Sequence, residues 1–186
     1  MRNPRLLRRS PNRALSKLPY GHVWLAHFRR ATPVNFGECI RGSVLDIQRN
    51  KAVVQEFDDL GNRGGDLDRL DSICTPGMVN HALAPHMPAG LEGTRAFLRS
   101  ARRDVHGAGW LNSVVVAEED MVVQFGRREL HWPGGSFLGF NAHAGTAVRD
   151  VMFAYRLVDG RIAERWAIRD DLSMLIQLGA LRPDSA

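Results

Sequence analysis

The chain has 186 residues, 44 % of them hydrophobic, which suits one domain with its own core, or one domain with an extension. No apolar run approaches the length of a membrane span, so no membrane partner is expected. A formal charge of +5 and a pI near 10.0 suggest nucleic acid at first sight, and the placement of the charge argues against it.

Residues 1–47 carry nine Arg or Lys against two acids, while the remainder carries sixteen against eighteen. The basicity therefore belongs to a leader, and the near-neutral main domain is not expected to bind nucleic acid. The leader holds Pro4, Pro11, Pro19 and Pro33 and no sustained period, so it reads as disordered. Arg8-Arg9 has only a superficial likeness to a twin-arginine signal, because Lys17, Pro19 and His22 interrupt the segment that would have to be apolar. A transit peptide would also be Arg-rich and acid-poor, and Val44 is a candidate for a later translation start. Cys39 and Cys74 stand in unlike contexts and make no disulfide framework, so a reducing, cytoplasmic setting is the default. His81 and His86 lack the spacing of a zinc helix, and no metal is expected.

Helical periodicity begins near residue 48. Val53, Val54, Phe57 and Leu60 mark one face of a first helix ended by Gly61. Asp66 is a good N-cap for a short helix with Leu67, Leu70 and Ile73 inward. Pro76-Gly77 breaks it, and Met78–Leu83 reads as a short strand. Gly90 to Arg103 forms a third helix, burying Leu91, Thr94, Phe97, Leu98 and Ala101. Long strands come next at Trp110–Glu118 and Met121–Trp132, joined at Glu119-Asp120. A Gly-rich loop, Pro133 to Ala144, precedes strands at Thr146–Val158 and Arg161–Arg169. Helices first and then a meander of long strands argue for an α+β domain spanning 48–182, with 183–186 as a tail.

The most informative stretch runs from Tyr155 to Gly179. Asp159-Gly160 between alternating apolar runs predicts a type I′ hairpin. Phe153, Tyr155 and Leu157 share one face of the first strand; Ile162, Glu164 and Trp166 are expected to share one of the second. Asp171 reads as the N-cap of a last helix carrying Leu172, Leu175 and Ile176, with Gly179 at C′. Asp170 then ends a strand just before a helix, where a carboxylate can point into a cavity. Read from periodicity alone, it is rather a helix cap or a surface ion-pair residue.

These residues resemble a known family. Phe137-Leu138-Gly139, Gly145 ahead of a long strand, and the run V-D-G-R-I-A-E-R-W-x-x-x-D-D-L-x-x-L-x-Q-L-G are similar to SnoaL-like polyketide cyclases. V-N-H-A-L at 79–83 and G-L-E-G-T-R-A-F-L at 90–98 fit the same pattern, so the likeness covers about residues 48–181. The resemblance implies a cone-shaped α+β fold of the nuclear-transport-factor-2 type. In it a curved, mostly antiparallel sheet and the N-terminal helices enclose an apolar pocket. It further implies an intramolecular aldol condensation closing a ring of a polyketide-like substrate, without metal or organic cofactor. The family's acid/base carboxylate falls on Asp170. A pocket residue that is often His in such cyclases falls on Arg156, and the usual Thr-Gly before the long strand is Ala144-Gly145.

An aldol closure starts by removing a proton from a carbon flanked by carbonyls. A carboxylate desolvated in an apolar pocket is the stronger base for it, and once protonated it can return the proton to the new alkoxide. Asp170 is the residue expected to do this. His81, Trp166, Arg156 and His131 are the candidate substrate contacts, each with a plainer reading as core, wall or outward strand residue. Two rivals remain open: a non-catalytic binder of small hydrophobic molecules, and hydration chemistry of the limonene-epoxide-hydrolase kind, in which a carboxylate and an Arg hold a water. The family likeness also leads one to expect a homodimer or higher homo-oligomer through exposed sheet.

Overall fold

The computed structural model describes residues 44–62 and 64–182, and the expectations for the leader up to residue 43 and for 183–186 lie outside them. Helix α1 (Val44–Asn62) takes residues 44–47 out of the expected leader. Val54, Phe57 and Leu60 recur at helical spacing and are buried to 5 % exposure or less. A 3-10 turn (Leu67–Arg69) then runs into α2 (Leu70–Ile73). Asp66 caps the pair as expected, its carboxylate accepting from the Asp68 amide at 2.9 Å, and Leu67, Leu70 and Ile73 are all buried.

Strand β1 (Cys74–Asn80) starts four residues before the expected strand and stops before His81. Pro76 and Gly77, read as a break, lie inside it. An edge strand tolerates this, since a missing N–H there costs no ladder bond, and the pairing slips between Cys74 and Val79 at that place. Helix α3 (Gly90–Asp104) has the expected extent and inward face, with Thr94 at 0 % exposure and Leu98 at 5 %. Gly93 holds its first turn against the preceding loop. A Cβ placed there would lie 1.7 Å from the Pro88 carbonyl oxygen and 2.7 Å from its carbon. Backbone cannot yield as a flexible side chain would, so Gly93→Ala is expected to cost about 3 kcal/mol. Urea denaturation would show this as a lowered midpoint at unchanged slope.

The long strands are β2 (His106–Glu118) and β3 (Met121–Trp132), then β6 (Gly145–Val158) and β7 (Arg161–Arg169). Inside the expected Gly-rich loop a small hairpin forms from β4 (Gly135–Phe137) and β5 (Phe140–Ala142). Leu138 at φ 53° and Gly139 at φ 86° make its two-residue turn, a conformation the glycine accepts freely. The Asp159-Gly160 turn between β6 and β7 is the predicted kind, with φ of 51° and 71°. The main sheet has the order β1-β7-β6-β3-β2, antiparallel throughout except for the parallel β1–β7 pair.

Helices α1 to α3 pack on one face of this sheet. The core there joins Val54, Phe57, Leu70 and Met78 to Val122, Tyr155 and Ile162. Helix α4 (Asp171–Gln177) seals the far end over a smaller cluster of Leu130, Trp132, Ala142, Ala147, Met174 and Leu178. The outcome is the expected α+β architecture, a curved, unclosed and mostly antiparallel sheet with helices on one side.

Candidate active site

Between the α1/α3 layer and the sheet lies a cavity of about 390 Å³, within the range of small-molecule sites. Strand alternation decides what it sees. On β6 the inward residues are Arg149, Val151, Phe153 and Tyr155; on β3 they are Arg128 and Leu130; on β7 they are Arg165 and Arg169. Helix α1 contributes Phe57 and Asp58, and α3 contributes Phe97, Leu98 and Arg102. The wall is therefore aromatic and cationic together, not the uniformly apolar lining expected.

Asp58 is the carboxylate of this wall. It sits one residue after Phe57 on the buried face of α1, and its side chain is 7 % exposed. Trp110 Nε1 donates to its Oδ2 at 2.8 Å, and Arg128 Nη1 stands 3.5 Å from its Oδ1. Register explains the grouping, since Trp110 pairs across with Arg128, and Arg128 with Arg149. The Arg128 guanidinium lies 5.0 Å from the Trp110 ring centre and 5.7 Å from that of Phe153. Phe153 also meets Arg165, 5.0 Å away, and Arg165 in turn faces Phe57 at 5.7 Å and Phe97 at 6.0 Å. Two buried cations thus share one ring, using its negative face in place of water.

Burial pushes Arg128 below the usual guanidinium range, against the pull of Asp58. It takes Arg149 down to about 10, with Asp171 opposing, so Arg149 is still charged at neutral pH. Tyr155, fully enclosed, is pushed up by burial and remains a neutral phenol. Arg165 Nη1 donates to Asn80 Oδ1 at 3.2 Å; that amide is fixed in turn by Thr94 at 3.1 Å.

The N-cap of the last helix is Asp170, where Asp171 was expected. Asp170 is the N-cap of α4, its carboxylate accepting from the Ser173 amide at 3.0 Å, and it is not among the residues lining the cavity. That hydrogen bond holds it below the ordinary carboxylate range. Asp171, expected as the cap, instead pairs with Arg149 and stands 3.5 Å from Arg169, so it braces two arginines of the cavity wall. A cap favours the ionised form, so Asp170 contributes stability above its unfolded pKa and loses it as pH falls through the lower folded value. Asp170→Ala is accordingly expected to lower Tm at pH 7, with the gap to wild type closing toward pH ~2. Thermal unfolding across that range checks it.

The other candidates gather on the opposite face of the sheet. His81 stacks on Trp166, with ring centres 4.8 Å apart, and its Nε2 is 3.1 Å from Glu164. Arg156 bonds Glu164 at 3.1 Å and Asp120 at 2.9 Å. Three of the four expected substrate contacts are thus one surface cluster around Glu164, away from the cavity. His131 is exposed on the same outward parity of β3, between buried Leu130 and Trp132.

Sequence reasoning missed Asp58 and the arginines of the wall, though signals existed. The inward series Leu157, Tyr155, Phe153 extends back by twos to Val151 and Arg149. An acid beside Phe57 on an apolar helix face is also unusual enough to flag.

A family model described as SnoaL-like polyketide cyclase matches residues 51–178. Among solved structures, TsrD from Streptomyces laurentii is similar at TM-score 0.62 and 25 % identity, covering 72 % of this chain and 97 % of that one. A SnoaL-like polyketide cyclase from Agrobacterium tumefaciens is similar at TM-score 0.59 and 15 % identity, over 70 % and 98 % of the two chains. An NTF2-like protein from Burkholderia xenovorans shares the fold at TM-score 0.55 and 18 % identity, over 71 % and 97 %. Comparison with curated proteins gave no match. On the extent of the family match, the chain belongs to the SnoaL-like polyketide cyclase family.

Proposed function

We propose that the protein is a cyclase or isomerase of an enolisable, polyketide-like substrate, acting by carboxylate acid/base chemistry in the cavity between helices and sheet. The observation that carries this reading is Asp58. It is a buried carboxylate on the wall of a cavity of about 390 Å³, oriented by Trp110 and paired with the Arg128 guanidinium. The role that the family resemblance gives to Asp170 is assigned to Asp58 instead, because Asp58 faces the cavity and Asp170 is engaged as a helix cap.

In this reading Asp58 removes a proton from the carbon between two carbonyls. The electron pair moves onto a carbonyl oxygen, and the resulting enolate is stabilised by the guanidinium groups of the cavity wall. The enolate carbon then attacks a second carbonyl, forming the ring bond. Asp58, now protonated, delivers its proton to the new alkoxide and is regenerated. Trp110 leaves the carboxylate lone pairs free for this work, since an ionised carboxylate has about four acceptor sites. The aromatic wall of Phe57, Phe97 and Phe153 folds the flexible chain, and such positioning is worth about 7–11 kcal/mol at best.

The experiment is incubation of the protein with linear aromatic polyketide acids, their esters and 1,3-dicarbonyl compounds. Ring-closed products by mass spectrometry support the reading, and binding without any turnover returns the protein to the class of small-molecule binders. The Asp58–Arg128 pair also favours a second reading, hydration of an epoxide by a water held between carboxylate and guanidinium. Incorporation of labelled oxygen from solvent water would separate the two.

A further inference from the structure

We infer that the substrate carries a carboxylate and that Arg165 is the residue that receives it. The inference rests on the reading of the cavity as the substrate site and deepens it. Five arginines line the cavity: Arg102, Arg128, Arg149, Arg165 and Arg169. Two carboxylates answer them. Asp58 serves Arg128, and Asp171 is shared by Arg149 and Arg169. Arg102 is spent on backbone, donating to the carbonyls of Leu60 and Gly65.

Arg165 is left with neutral partners, the Asn80 amide oxygen, the Tyr155 hydroxyl and three aromatic rings. Among the described residues no carboxylate lies within ion-pair distance of it, although it is only 5 % exposed. A buried guanidinium without a counter-charge is costly, and a charged group is ordinarily buried only when paired. Its Nε also finds no acceptor. Arg128 Nη2 and Arg149 Nε are likewise enclosed without a protein acceptor.

A planar aromatic acid meets the demand of Arg165. Its carboxylate supplies the missing charge beside the guanidinium. Its ring lies against Phe57, Phe97 and Phe153, the three rings that already frame Arg165. A methyl ester of the same acid has the ring but neither the charge nor the second strong acceptor. The cavity therefore selects free acids over their esters.

The test uses the full chain and two probes, 2-naphthoate and methyl 2-naphthoate, titrated by calorimetry at pH 7 with no turnover required. Wild type is expected to bind the acid at least tenfold more tightly than the ester, and Arg165→Met to lose that preference. Arg165→Lys keeps the charge but loses the planar fork, and is expected to keep only part of it. Should Arg165→Met not fold, the Lys variant and the wild-type pair still decide the matter. Equal affinity for acid and ester, or a preference that survives in Arg165→Met, overturns the inference and leaves the proposed reaction standing. Failure of both probes to bind overturns the cavity assignment itself.

Discussion

Asp58→Asn is expected to lower turnover of a cyclisable 1,3-dicarbonyl substrate by about a hundredfold or more, while substrate affinity changes far less. Asn keeps the shape of the side chain and an oxygen for Trp110, but has no basic lone pair able to take the proton. Loss of one general acid/base group is worth about 10²–10⁴ in rate. The variant also removes the counter-charge of Arg128, whose side chain is 11 % exposed. Breaking a buried pair by taking one partner typically costs about 3–5 kcal/mol. Activity must therefore be normalised to the folded fraction, measured by circular dichroism at the assay temperature. A rate that falls only in proportion to that fraction gives Asp58 a structural role alone.

Phe125→Glu is expected to turn a dimer into a monomer. Register aligns Val114, Phe125, Met152 and Ile168 in one row across four strands, and all four are exposed, from 38 % to 51 %. A parallel row, Val116, Val123, Ala154 and Trp166, lies beside it on the same face. Charged rows bound both: Arg127 and Asp150 at one end, Arg156 and Glu164 at the other. A contiguous apolar patch rimmed by both signs of charge marks an interaction surface. Such a patch can meet its own copy across a two-fold axis, and each rim carries both signs of charge, Arg127 with Asp150 and Arg156 with Glu164. A second copy of this chain is the occupant we propose. Sedimentation at micromolar concentration should give a dimer for wild type and a monomer for Phe125→Glu, with the helical signal unchanged. A monomeric wild type would remove the dimer from the account and leave the cavity untouched.

The fold was legible in the sequence because its long elements obey their periods. The bounds of β3 and β7 came directly from alternation, and α3 from its apolar stripe. The site was less legible, and one residue explains much of the difference. In an unbroken hairpin Arg156 would face residue 163, but it faces Glu164, because the pairing slips after Leu157↔Ile162. One extra residue in β7 reverses the facing of everything beyond it. Ile162 points into the core, yet so do Arg165 and Arg169, while Glu164 and Trp166 point outward. The expectation that Ile162, Glu164 and Trp166 share a face fails there, and with it the placement of Trp166 on the cavity wall. Local alternation cannot reveal a bulge, since its cause is the match between two strands.

His81 lies away from the cavity for a related reason. The parallel pairing of β1 with β7 brings it beside Glu164 and Trp166 on the outer face, and a long-range parallel pair leaves no local signature. Asp58 is hard to see because helical periodicity reports apolar residues and is silent about an acid set among them. The cap falling on Asp170 and not on Asp171 is a one-residue matter at a helix end, decided by the backbone angles of the cap residue itself.

The most direct test compares two conservative variants, Asp58→Asn and Asp170→Asn, by deuterium exchange at the central carbon of a 1,3-dicarbonyl probe. Exchange reports the first proton transfer without needing the natural substrate, and Asn preserves a cap oxygen at position 170. The account predicts that exchange catalysed by wild type persists in Asp170→Asn and falls by about a hundredfold or more in Asp58→Asn. Exchange lost in Asp170→Asn and retained in Asp58→Asn would contradict it and return the proton-transfer role to the end of β7.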